Sequence, residues 1–149
     1  MRAMVLLLAA AALGCEAQIP AESSDITDDE AAIRAVVSGM NSTWNAGDLA
    51  GNLDYVDEGA VQVSSGEEPI GEGKAVLAAL WEDYAERFDS EMHTTMQHIW
   101  VSGDLAVAYG TSSITESPRA GGEATQTTSN VMWAFRRGPD GRWLYLASN

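Results

Sequence analysis

Apolar residues recur at helical spacing early in the chain. Ile33, Val36, Val37, Met40 and Trp44 fall on one stripe, with polar residues between them. This pattern predicts a first amphipathic helix. Thr27, followed three residues later by Glu30, forms a capping box at its start. Asp28 and Asp29 suit the positive end of the helix, and Gly47 is placed to end it. Asp48 caps a short second helix carrying Leu49, Leu53 and Val56. A weak alternation over Gly59–Ser65 predicts a strand, and "GEEPIGEG" reads as a turn. Leu77, Leu80, Trp81, Tyr84 and Phe88 then share one face of a third helix running from about Lys74 to Phe88.

After Asp89 the sequence turns to Thr, Val, Trp, Tyr and Phe, the residues that β structure favours. "EMHTTMQHIWVSGDLAVAYGTSSITES" predicts one hairpin with "SGD" at its turn. "TQTTSNVMWAFRRGPDGRWLYLASN" predicts another around "RGPDGR". Helices first and long antiparallel strands afterwards make an α+β pattern: three N-terminal helices packed on one antiparallel sheet. Strands this long twist and curl, so an amphipathic helix across the mouth of the sheet encloses a conical space.

Both histidines lie on the first of these strands. In "SEMHTTMQHIW" they stand five residues apart, and an odd separation sends side chains to opposite faces of a sheet. Met92, Thr94, Met96, His98 and Trp100 then share an apolar face suited to a cavity wall. Glu91, His93, Thr95, Gln97, Ile99 and Val101 share the other face. On this alternation His98 is the candidate general base in the cavity, against the plainer reading of a hydrogen-bonded core histidine. Five residues of strand also span about 17 Å, so His93 and His98 cannot chelate one metal unless a bulge intervenes. No HxH, HxxxH or CxxC spacing and no nucleotide-binding loop occurs, so neither a metal site nor a cofactor is expected.

The 149 residues suit one domain, and 22 acids against 8 bases give a net charge of −14. That balance argues against nucleic acid or anionic lipid as partner. Cys15 is the single cysteine. It closes "MRAMVLLLAAAALGC", a basic start followed by an apolar run too short to span a bilayer, which is the pattern of an export signal. The ending "ALGC" resembles a bacterial lipoprotein signal, which implies a lipid on Cys15 at residue 15. Cleavage after Ala17 and ordinary secretion is the rival. Residues 16–25 read as a polar tether, and residues 26–149 as the domain.

"WNAGDLAGNLDYVDEGAVQV", "IGEGKAVLAALWEDY", "VSGDLAVAYGTSSIT" and "MWAFRRGPDGRW", in that order and spacing, resemble the NTF2-like superfamily. Within it the chain looks like the SnoaL-like and ketosteroid-isomerase-related group, close to its DUF4440 members. The resemblance covers roughly Asp25 to Asn149. It implies a cone with an apolar pocket and a homodimer formed through the outer sheet face. It does not imply an activity, because the family holds isomerases, cyclases, hydrolases, dehydratases and binding modules alike.

A register set by "NAGDL" places Met40 where the steroid isomerases carry a tyrosine, and Ser64 where they carry the base. Met132 or Trp133 falls where they carry a protonated carboxyl. None of these side chains performs that proton transfer. The epoxide-hydrolase relatives use a buried Asp–Arg–Asp group, but Arg119, Arg136, Arg137 and Arg142 fall in predicted loops or turns. The expected pocket residues are Met40, Trp44, Trp81, Tyr84, Met96, His98, Trp100, Tyr109 and Asn130. Three readings follow. One is an exported domain that binds a small apolar molecule without turning it over. The second is an isomerase, dehydratase or cyclase with His98 as base. The third is a dimeric scaffold without a ligand.

Overall fold

Helix α1 (Ser23–Asn45) lies across the sheet because its stripe is apolar: Ile33, Val36, Val37 and Met40 are all buried. The computed structural model describes residues 23–63 and 69–149. The expected export segment with Cys15, the tether up to residue 22, and Ser64 therefore lie outside the described residues. The helix begins at Ser23, so Thr27 stands inside it rather than capping it, and residues expected in the tether form its first turn. Helix α2 (Leu49–Leu53) is capped as its sequence predicts, with Asp48 Oδ1 accepting from the Gly51 amide at 2.9 Å.

Strands β1 (Val56–Val63) and β2 (Pro69–Glu72) come next, before helix α3 (Lys74–Arg87). Two helices, not three, thus precede the first strand; the third is inserted after β2. Then follow β3 (Phe88–Ser102), β4 (Leu105–Pro118), β5 (Thr125–Arg137) and β6 (Trp143–Ser148). The six strands form one sheet in the order β2-β1-β6-β5-β4-β3. The sheet is mixed rather than antiparallel throughout, because β1 runs parallel to β6. The α-helices and the inner face of the curved sheet enclose the core, where Leu77, Ile99, Ala108, Val131, Trp133, Phe135 and Tyr145 form one cluster with Ile33, Val36, Val37 and Met40 of α1.

A bulge divides β3. Met96 pairs with Gly110 and His98 with Tyr109, so Gln97 is one residue too many for its partner strand. Before the bulge Met92, Thr94 and Met96 face inward; after it Ile99 and Val101 do. The sequence opposite permits this. A Cβ on Gly110 would lie 1.9 Å from the Thr95 carbonyl oxygen, so only glycine lets the bulged backbone approach so closely.

The free edge of β3 is sealed by side chains of α1. Asn45 exchanges two hydrogen bonds with the backbone of Met92 (2.7 and 2.9 Å), and Asn41 does the same with Thr94 (2.8 and 3.1 Å). Arg34 donates to the Met96 carbonyl. These residues lie off the apolar stripe, where helical spacing sets them along the strand. Each stands in for a missing neighbour strand and covers an edge that would otherwise recruit one.

Candidate functional site

Between α1, α3 and the inner sheet face lies a mostly apolar cavity of about 360 Å³. That volume falls in the range of small-molecule sites, roughly 300–1,000 Å³. Met40 and Trp44 reach it from α1, Leu80, Trp81 and Tyr84 from α3, and Met92, Ile114, Trp133 and Tyr145 from the sheet. The aromatic rings brace one another. Trp44 meets Trp81 edge-on at 5.9 Å and Tyr84 at 5.8 Å, while Trp133 and Tyr145 form a second edge-on pair at 5.4 Å.

A few polar groups punctuate this wall. The Trp81 indole N–H donates to Gln62 Oε1 at 3.0 Å, and that of Trp44 to Ser90 Oγ at 3.0 Å. The Tyr84 hydroxyl donates to Glu116 Oε1 at 2.5 Å. Burial first, and the Glu116 hydrogen bond second, push the Tyr84 phenol well above its ordinary value, so it stays protonated. Tyr145 and Ser148 share a hydrogen bond of 2.7 Å. Asn52, from α2, also stands in the wall; its Nδ2 donates to the Met40 carbonyl at 2.7 Å and to Thr43 Oγ1 at 2.9 Å. At the rim Arg87 and Asp83 hold each other at 2.8 Å.

The expected pocket residues divide into three groups. Met40, Trp44, Trp81 and Tyr84 line the cavity. Met96 is buried beneath α1 but borders a separate shallow groove between α1 and β3. His98, Trp100, Tyr109 and Asn130 are on the outer face of the sheet. The bulge at Gln97 turns His98 and Trp100 outward, to the side where His93 also lies. There the His98 ring stacks between Trp100 at 5.9 Å and Tyr109 at 6.3 Å. Tyr109 pairs with Met132, and Asn130 with Thr111, on that same outer side. His98 is therefore cut off from the cavity by the sheet, which removes it as a base for anything bound there.

Of the positions registered against the steroid isomerases, Met40 and Trp133 face the cavity, whereas Met132 points outward and is exposed. Neither the Met40 thioether nor the Trp133 indole titrates near neutral pH, so neither serves as acid or base. Arg136 and Arg137 do not sit in loops; they end β5 and form ion pairs. Arg136 grips the buried Asp57 through two hydrogen bonds, and Asp57 Oδ1 also accepts from the Gly59 amide at 2.8 Å. Arg137 bonds Asp29 Oδ2 at 2.5 Å and approaches Asp104 at 3.4 Å. Arg142 lies in the turn and pairs with Asp140. These arginines and Lys74 border a second cleft, but their charge is spent on neighbouring carboxylates. Among the described residues no cluster of three or more His, Cys, Asp or Glu is placed to hold a metal.

The sequence pattern does not single out Asn52, Gln62, Glu116 or Ser148. Asn52 had a signal: it falls among Leu49, Leu53 and Val56, a polar residue on the apolar face of a short helix. Gln62, Glu116 and Ser148 had none, because their approach to the wall depends on strand pairing.

The sequence model of the SnoaL-like domain matches residues 28–146. No curated protein matches the chain. Among solved structures it is similar to a conserved protein from Planctomyces limnophilus, at 24% identity, with 82% of this chain and 94% of that chain covered and a TM-score of 0.74. It is similar to a ketosteroid isomerase-like protein from Erwinia carotovora atroseptica, at 20% identity over 79% and 91% of the two chains, with a TM-score of 0.70. It is also similar to an NTF2-like protein with a cystatin-like fold from Novosphingobium aromaticivorans, at 21% identity over 83% and 81%, with a TM-score of 0.69. At these identities the likeness is one of fold.

Proposed function

The chain belongs to the SnoaL-like domain family, and on that premise we propose that it binds a small, predominantly apolar molecule in its cone without chemical turnover. The observation that carries this reading is the aromatic-walled cavity of about 360 Å³ with a few fixed polar groups. Turnover is disfavoured by the state of the titratable groups that face it. Tyr84 is held protonated against Glu116, Asp83 is paired with Arg87, and Tyr145 is hydrogen-bonded to Ser148. None of them stands as an activated base beside a free acid.

We further propose that binding takes place outside the cytoplasm. The support is the basic and apolar pattern of residues 1–15, which reads as an export signal with Cys15 as the site of lipid attachment. Native mass spectrometry of protein purified from membranes tests both statements. The expected spectrum shows a co-purifying small molecule and a diacylglyceryl mass on Cys15. A mature chain beginning at Gln18 would replace the anchor with plain secretion. Ile114→Trp, which fills the cavity, should release the small molecule; its retention there, or its absence from the wild-type protein in every lipid-extract challenge, would overturn the binding reading.

A second copy of the chain is the partner we propose for the outer sheet face. Trp100, Leu105 and Met132 are 58%, 53% and 51% exposed on it. The paired positions Thr95–Thr111–Asn130, His98–Tyr109–Met132 and Trp100–Val107–Ala134 carry no Asp, Glu, Lys or Arg. These three rows are uncharged on so acidic a chain, and Arg136, beside Leu105 at the end of the face, is paired with Asp57; an uncharged patch that exposes Trp100 and Met132 suits a self-complementary interface.

A further inference from the structure

One residue of the cavity wall holds a buried polar atom without a partner. Asn52 is 1% exposed, and both its amide hydrogens are committed, to the Met40 carbonyl and to Thr43 Oγ1. A backbone carbonyl only accepts, so the nitrogen end of the carboxamide is fixed against α1 and the oxygen end is turned away from it. Among the described residues Asn52 Oδ1 is the buried side-chain oxygen left without a hydrogen bond. Such an atom is rare in folded proteins, because desolvation without a bond is costly, and it calls for an explanation.

The rest of the wall points to a ligand of matching polarity. Trp44 and Trp81 have given their indole hydrogens to Ser90 and Gln62, and Tyr84 has given its hydroxyl hydrogen to Glu116. With those three donors spent, the buried side-chain atom of the wall left without a partner is an acceptor, and it asks for a donor. Asp83, the carboxylate in the lining, is paired with Arg87, and Glu116 stands behind the Tyr84 hydroxyl outside the lining, so no bare carboxylate faces the cavity to hold a cation. Size adds a third limit. An apolar protein cavity of about 150 Å³ holds one benzene, and the cavity here is about 360 Å³, room for two or three rings.

We infer that the ligand is a neutral, largely hydrocarbon molecule of two or three rings bearing a hydroxyl group, and that Asn52 Oδ1 accepts the hydrogen of that hydroxyl. This rests on the cavity being a ligand site. The test is isothermal titration of the full-length chain with 2-naphthol, 2-methoxynaphthalene and naphthalene. The first two share a ring system and an oxygen, but only 2-naphthol has a hydrogen to donate.

In the wild-type protein 2-naphthol should bind about tenfold more tightly than 2-methoxynaphthalene, the value of one buried hydrogen bond that rescues an orphan acceptor. In Asn52→Leu that preference should vanish, while naphthalene binds as before or better. Equal binding of 2-naphthol and 2-methoxynaphthalene by the wild-type protein would overturn the role of Asn52 and leave the cavity as a plain apolar site. Survival of the preference in Asn52→Leu would overturn it too. Binding of none of the three compounds would sink the ligand-site reading itself, and the inference with it. Should Asn52→Leu fail to fold, the wild-type comparison alone decides.

Discussion

Asp57 and Arg136 are 79 residues apart and join the first strand to the fifth through two hydrogen bonds. Burial pushes the Asp57 carboxyl up. The Arg136 hydrogen bonds, the Gly59 amide and the charges of Arg136 and Lys74 together outweigh that, and hold it below the ordinary carboxylate value. The sign of the linkage follows. A carboxyl whose pKa is lower folded than unfolded contributes stability that is complete above the unfolded value, about 3.9, and is lost as pH falls through the folded value. The net charge of −14 acts the other way, since protonating surface acids relieves repulsion. The wild-type profile therefore mixes the two effects, and the difference from Asp57→Asn isolates the pair. In urea titrations that difference should be constant between pH 7 and about pH 5, and shrink below about pH 4. A difference that grows on acidification would mean that the pair does not stabilise the fold.

The bulge in β3 shows how one element can reverse the meaning of a residue. Gln97 is inserted opposite Gly110, and every side chain beyond it changes face. Gly110→Ala puts a methyl group against the Thr95 carbonyl and should cost about 1–3 kcal/mol, as overpacking does. Urea unfolding at neutral pH measures it, and an unchanged midpoint would mean that the bulge relaxes at no cost. The same element marks what the sequence makes legible. The stripe of α1, the face of α3, the Asp48 cap and the two hairpins follow from local period and turn chemistry, and the structure has them. Four of the nine expected pocket residues line the cavity, those on helices, where a spacing of three or four residues holds without interruption. The strand residues His98, Trp100, Tyr109 and Asn130 are on the outer face, and for His98 and Trp100 the cause is one extra residue that inverts the parity of β3. "MQH" looks the same with or without a bulge; the cue was the glycine on the neighbouring strand, and it becomes readable only once the register is known. The parallel pairing of β1 with β6, and the docking of Asn41 and Asn45 on the edge of β3, are equally non-local.

At the scale of the molecule the two faces of the sheet have separate tasks. The inner face closes the cavity with α1 and α3. The outer face presents Trp100, Leu105, Val107 and Met132 around the stacked His98 and Tyr109. The edges offer little else for self-association. One edge strand is sealed by Arg34, Asn41 and Asn45, and the other, β2, is four residues long and begins with Pro69. The contact proposed between copies is therefore assigned to the outer face. Trp100→Glu puts a carboxylate on the exposed apolar part of that face, where burial against a second copy would desolvate it without a partner. Light scattering coupled to size exclusion should give twice the 15.8 kDa chain mass, less any segment removed on export, for the wild-type protein, and a single chain for Trp100→Glu. Because Trp100 is on the opposite side of the sheet from the cavity, the variant's affinity for 2-naphthol should stay within about twofold of wild type, as expected for sites that share no partner. A monomeric wild-type protein would leave the outer face without the partner proposed for it. A dimer that survives Trp100→Glu would move the interface elsewhere. Loss of ligand binding on monomerisation would mean that the second copy helps to shape the cavity through the sheet between them.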